Sequence, residues 1–258
     1  MYETILYDVM EGIATITLNR PEKFNAFTEK MHKEIIDALK QAGKSSDVRC
    51  LIITGTGKAF NAGQDLSDMQ GVEVDFGEFL RKRYNPMIMQ IRNTEKPVIA
   101  AVNGVAAGAG MSLALACDIR LVSEKAFFTN AFINIGLVPD SGGCYFLPRI
   151  VGIGKALELA MTGEKISAEE AYRIGLANKI CSAENFEAEV KEYAARLAKL
   201  PTKSIGLIKR AMYKGVEMNL EETLEYEAYC QDIAGSTADH KEGVQAFLEK
   251  RSPVFTGK

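Results

Sequence analysis

Two segments at the start of the chain, ETILYDV (3–9) and GIATITL (12–18), alternate apolar and polar side chains. A period of two belongs to a strand with one covered face, and Glu11-Gly12 between them supplies turn chemistry, so the pair predicts a β-hairpin. After Asn19-Arg20-Pro21 the period changes. Residues 28–42 set Met31, Ile35, Ala38 and Leu39 on one helical face, with Thr28 where an N-cap hydroxyl belongs. CLIITGT (50–56) and PVIAAVNG (97–104) are unbroken apolar runs ending in glycine, the pattern of strands covered on both faces. Helical spacing over 78–92 lies between them, and CDIRLVS (117–123) reads as a third such strand.

Strand and helix patterns therefore alternate to about residue 150, which predicts an α/β layer architecture with right-handed crossovers. Farther on, residues 153–161, 167–174, 184–199, 202–217, 219–233 and 239–250 follow helical spacing, with LANKIC (176–181) as a lone strand-like run. The reading is a sheet-containing core followed by a helical C-terminal region. GSTADH (235–240) is the best hinge before the last helix.

Composition changes this picture little. With 258 residues, 47% hydrophobic and 25% charged, the chain is ordinary for a globular protein, and a net charge of −3 gives no reason to expect nucleic acid. The longest apolar stretch, near 98–117, is broken by Asn103 and three glycines, so no membrane span is expected. The first residues lack a basic start and an apolar leader, and the expected location is the cytoplasm. Five scattered cysteines without a CxxC pair read as reduced, mostly buried thiols. His32 and His240 are far apart and outside metal-ligand spacing; each reads as a surface helical residue, so no metal is expected and the commonest general base is removed.

Two glycine-rich turns follow the buried strands: AFNAGQDL (59–66) and NGVAAGAGMSLALACD (103–118). Neither is a nucleotide loop. A P-loop through Gly57-Lys58 would need glycine at Ile52 and Ser or Thr at Ala59, and a dinucleotide fingerprint through Gly108 and Gly110 would need glycine at Leu113. Small residues let a ligand approach the backbone, and free N–H groups at a helix start favour developing negative charge. Two such groups aimed at one oxygen make an oxyanion hole. By spacing alone the glycines equally fit tight strand–helix packing.

LNRPEKFNAF, AFNAGQDL, AVNGVAAGAGMSLALACDIRL, GLVPDSGG and EGVQAFLEKRSPVF, in that order and spanning nearly the whole chain, resemble the enoyl-CoA hydratase/isomerase (crotonase) superfamily. The resemblance implies a spiral of ββα units over 1–195 holding a CoA site, and a helical trimerisation region over 196–258. It implies an acyl-CoA thioester substrate, no cofactor beyond the CoA carried by the substrate, and a homotrimer or dimer of trimers, with a complex with a related hydratase as a further partner. The family chemistry, stabilisation of a thioester enolate by two backbone N–H groups, falls on Gln64 and Ala109, where side-chain type is free to vary. Ala62, Asp65 and Leu66 would line the CoA path, and Lys23, Phe24 and Ala26 match the loop at its adenine end. Lys250 matches a position near the CoA phosphates, although a solvated helix face is its simpler reading.

Hydratases of this family carry two glutamates where this chain has Ser112 and Phe132. Hydration needs carboxylates to hold and activate water, and neither side chain substitutes for one. Asp140, in GLVPDSGG, stands at the loop position where several branches place a catalytic acid, the match being closest to the ring-epoxide and enoyl-CoA isomerase type of phenylacetate degradation. Phe132 and Leu137 would exclude water and raise its basicity. By spacing alone Asp140 reads as a helix cap, and Ser112 as a packing residue. The expectation is an acyl-CoA isomerase with Asp140 as proton shuttle. Its rivals are a hydratase using Asp140 or another acid, Dieckmann-type ring closure, and a non-catalytic acyl-CoA binder. The acyl pocket is expected to be shaped by Ser67 to Arg83, including GVEVDFGEF (71–79).

Overall fold

The computed structural model describes residues 2–69 and 75–258. Strands β1 (Ile5–Met10) and β2 (Ile13–Leu18) form the expected hairpin, Met10 facing Ile13, with Glu11 and Gly12 both at positive φ, as a two-residue primed turn requires. Helix α1 (Glu29–Lys44) starts at Thr28, whose hydroxyl accepts the Met31 N–H, and buries Met31, Ile35, Ala38 and Leu39 completely.

A repeated unit follows. β3 (Cys50–Gly55), β5 (Val98–Val102) and β7 (Ile119–Ser123) lie parallel in a six-stranded sheet of order β1-β2-β3-β5-β7-β10, where β10 is Lys179–Cys181. Each is followed within a few residues by a three-residue strand that leaves for a second sheet: β4 (Ala59–Asn61), β6 (Val105–Ala107) and β8 (Phe127–Thr129), parallel to one another and closed by antiparallel β9 (Lys165–Ser167). A helical segment then returns the chain: α2 (Phe76–Phe79), a π-type turn at Leu80–Tyr84 and α3 (Asn85–Asn93) after β4, α4 (Ala109–Ala116) after β6, and a 3₁₀ turn (Ala131–Ile135) after β8. Three parallel neighbours in the small sheet bring the chain after each of them to one edge.

The large sheet is covered on both sides, as its apolar runs require. Leu51, Ile53, Val98 and Ala100 face the main core with α1, α3 and α4. Cys50, Ile52, Ile99 and Ala101 face α8 (Phe186–Ala198) through Phe186, Val190, Ala194 and Ala198. Before α8 in the chain come α5 (Gly143–Val151), α6 (Ile153–Thr162) and α7 (Ala168–Arg173), whose buried residues join the main core. LANKIC supplies β10 as expected, whereas the three-residue strands of the small sheet and α5, which contains Pro148, give no sequence signal because they are too short for periodicity and proline reads as a breaker.

Helices α9 (Thr202–Gly215), α10 (Leu220–Gly235) and α11 (Ala238–Glu249) complete the chain. Among the described residues no helix is long and apolar enough to cross a membrane. Of the cysteines, Cys50, Cys117, Cys181 and Cys230 are buried and Cys144 is exposed, all as free thiols. His240 is exposed as expected, but His32 is not a surface residue: it is 1% exposed, stacked on Phe27 and set edge-on to Tyr84. Its position lies on the same face as Met31 and Ile35, a face that the polar ring joins because Nδ1 reaches the Thr28 carbonyl at 2.8 Å.

Candidate active site

The turn after β4 is pinned from the Arg20–Phe27 loop. Phe27 forms an isolated parallel bridge with Gln64: its N–H donates to the Gly63 carbonyl at 2.8 Å, and the Asp65 N–H donates to the Phe27 carbonyl at 3.0 Å. A parallel bridge of that kind uses the flanking residues, so the N–H of Gln64 itself points to the opposite edge. Buried Asn25 donates to the Thr56 and Ala59 carbonyls, while Asn61 donates to the Asn25 carbonyl and accepts the Gly63 N–H. Asp65 accepts an Arg20 guanidinium N–H at 2.9 Å and the Ser67 N–H and hydroxyl. Those bonds, from Ser67 and then Arg20, hold its carboxyl below the usual carboxylate range.

The turn after β6 lies directly against the first. A Cβ on Gly63 would stand 3.1 Å from the Ala107 carbonyl oxygen and 3.6 Å from the Ala109 nitrogen. One on Gly110 would stand 2.1 Å from the Asn61 carbonyl oxygen, so only glycine allows the two backbones this close. Ala109 is the first residue of α4, and its N–H has no intrahelical acceptor. Phe132, after β8, is buried with its ring 3.8 Å from where a Gly108 Cβ would be.

Asp140 is half-buried within the next loop, ahead of α5. Its carbonyl accepts the Ser112 hydroxyl at 2.9 Å and the Gly143 N–H at 2.7 Å, so Ser112, read as a packing residue, holds the loop to α4. Its carboxylate accepts the Ser141 hydroxyl at 2.8 Å and does not cap α5, whose N-cap is Gly142. Ser141 sits at φ 52°, a conformation that costs a non-glycine residue about 1–2 kcal/mol. Burial pushes the Asp140 carboxyl above the usual range, with Ser141 opposing it in part.

The remaining sequence-derived residues divide. Lys23, Phe24, Ala62 and Leu66 form an exposed rim, joined where the Ala62 N–H donates to the Phe24 carbonyl at 3.1 Å. Ala26 is buried, its carbonyl taken by Arg20, and the Asp65 side chain is engaged by Arg20 and Ser67. Leu137 is half-buried and donates its N–H to the Phe132 carbonyl. Lys250 is exposed at the end of α11, and its backbone N–H donates to Phe247. Residues 70–74 of the expected acyl-pocket segment lie outside the described residues.

Residues 8–258 match the family model for enoyl-CoA hydratase/isomerase. The chain belongs to that family. It is 44% identical to 1,2-epoxyphenylacetyl-CoA isomerase of Escherichia coli, with all of both chains covered. It is equally 44% identical to a probable enoyl-CoA hydratase of Rhodobacter capsulatus, covering all of this chain and 99% of that one. The crystal structure of enoyl-CoA hydratase from Bacillus anthracis superposes with a TM-score of 0.95 at 32% identity, covering 99% of this chain and 100% of that one. The fold is therefore the crotonase fold, and the chain is an enoyl-CoA hydratase/isomerase-family enzyme.

Tyr84, beside the first turn, has no counterpart among the sequence-derived site residues, and His32 beside it is the residue expected at the surface. Tyr84, 2% exposed, donates its hydroxyl to the Gln64 side-chain oxygen at 2.7 Å, and His32 packs against its ring. Tyr84 falls at helical spacing with Met87, Ile88 and Ile91; a tyrosine on a buried face needs a partner for its hydroxyl, and that was the available signal.

Proposed function

We propose that this enzyme isomerises an acyl-CoA thioester, shifting a carbon–carbon double bond or rearranging a ring epoxide, with Asp140 as its single proton shuttle. In the double-bond shift, the ionised carboxylate removes a proton from the carbon adjacent to the unsaturation. The electron pair moves through the conjugated system onto the thioester oxygen, where the Gln64 and Ala109 N–H groups receive the developing charge. Protonated Asp140 then returns the proton at a different carbon, and no external acid, base or cofactor enters the balance. CoA arrives as part of the substrate, along the rim of Lys23, Phe24, Ala62 and Leu66.

The observation that carries the reading is the state of Asp140: a half-buried carboxylate with raised basicity, held by Ser141 and left free of any capping duty. Ser112 and Phe132 occupy the positions where a hydratase would hold its glutamates, and buried Phe132 borders the turn at Gly108. The equal identity to a probable hydratase favours hydration as the second reading, with Asp140 activating water. For assembly, we propose a homotrimer or a dimer of trimers joined through the apolar groove of α9–α11, where Met212 and Phe247 are exposed.

Asp140→Asn decides the first reading. Isomerisation, and solvent-deuterium exchange into the acyl chain, should fall by about 10²–10⁴-fold while binding of the CoA thioester persists. Undiminished turnover in that variant would remove Asp140 from the chemistry, and rapid loss of conjugated absorbance from a trans-2-enoyl-CoA would favour hydration.

A further inference from the structure

The Gln64 side chain folds back on its own turn. Its amide nitrogen donates to the Asp65 carbonyl at 3.1 Å, and its oxygen accepts the Tyr84 hydroxyl at 2.7 Å. That hydroxyl is the one polar atom on a ring enclosed by aromatic groups: Phe27 at 5.5 Å and His32 at 4.2 Å, both edge-on, and Phe79 at 5.9 Å. Phe27 is also the residue that bridges Gln64 through the backbone. Tyr84 is reached through a π-type turn at Leu80–Tyr84, an insertion that rotates the residues after it relative to a regular helix. The Gln64 peptide is thus gripped through its backbone by Phe27 and through its side chain by Tyr84.

We propose that Tyr84 is a positioning residue for the reaction, fixing the Gln64 peptide so that its N–H meets the thioester oxygen, and that glutamine at position 64 is required for this. On this proposal the side chain at the first donor position is not free to vary. This inference rests on the proposed oxyanion role of Gln64. An oxyanion donor works only when its direction is set before charge develops, and displacement by a fraction of an ångström weakens it.

The test uses Tyr84→Phe, which keeps the packed ring, with Gln64→Leu and the double variant. Each single change should lower kcat about tenfold with KM within twofold, and the double should be no slower than the slower single. The acid limb of the pH profile should stay in place, because Asp140 is untouched. A bound 2,4-dienoyl-CoA, whose absorption shifts to the red when its carbonyl is polarised, should lose part of that shift in all three variants. Unchanged kcat and red shift in Tyr84→Phe, or multiplicative losses in the double, would overturn the proposal. If the native enzyme produces no red shift, the oxyanion role itself fails and this inference with it. If Asp140→Asn is inactive, the native red shift is present and Tyr84→Phe is indistinguishable from native, this inference alone fails.

Discussion

The turn after β4 and the 137–143 loop both pack against α4 but are held in different ways. Asn25, Asn61, Arg20 and Ser67 bind the turn with side-chain hydrogen bonds, and Phe27 adds a backbone bridge. The loop has the Ser112 hydroxyl on one carbonyl, the Ser141 hydroxyl on one carboxylate and two positive-φ residues, Ser141 and Gly142. A backbone donor has no rotamer of its own to adjust, so its direction must come from everything around it. A carboxylate can rotate, and what it needs from its surroundings is low polarity to raise its basicity.

The sharpest way to break the contrast is Gly110→Ala. Its methyl would stand 2.1 Å from the Asn61 carbonyl oxygen and force the two turns apart. Turnover should fall at least about 10²-fold, with stability reduced by about 3 kcal/mol, read from kinetics and denaturant unfolding. Arg20→Ala comes next. It leaves the largely buried Asp65 carboxylate without its cation, 2.9 Å away in the native chain, and should cost about 3 kcal/mol of stability along with most of the turnover. Ser112→Ala acts on the loop. The Asp140 carbonyl keeps its bond to Gly143, so stability should drop by only about 1 kcal/mol, with kcat down about three- to tenfold and KM unchanged.

The smallest expected effect is on stability and has the opposite sign. The folded pKa of Asp140 lies above its unfolded value, so above both values the fold carries a charge it disfavours. Asp140→Asn should therefore raise Tm slightly at neutral pH, by about 1–3 °C, even as turnover falls by about 10²–10⁴-fold. In the native enzyme, kcat/KM should decline with unit slope as pH falls through the raised Asp140 pKa, at a higher midpoint than an exposed aspartate would give. An unchanged or lowered Tm in the asparagine variant would mean that Asp140 stabilises the loop instead.

Much of this could be read along the chain, because the relevant patterns are local. The hairpin at Glu11-Gly12, the Thr28 cap, the α1 face and the doubly covered β3 and β5 each follow from spacing within a dozen residues. Asp140, Gln64 and Ala109 stand out as candidates only through family motifs, since spacing alone leaves a helix cap and two packing turns. The three-residue strands of the small sheet lay below the length at which periodicity speaks, yet their parallel pairing is what sets the turns side by side.

Burial and hydrogen-bond partnership were settled in three dimensions. His32 looked like a surface residue until Phe27 and Tyr84 closed over it, and burial now pushes its ring down to about 4. Ser112 looked like packing until the Asp140 loop came within 2.9 Å. Tyr84 offered only a place on an apolar face until its hydroxyl met Gln64, twenty residues away in sequence. Local patterns carry the periodicity of an element and the chemistry of its caps. The partner of a buried polar atom depends on which distant segment folds against it, as the meeting of the Tyr84 hydroxyl with the Gln64 side chain shows.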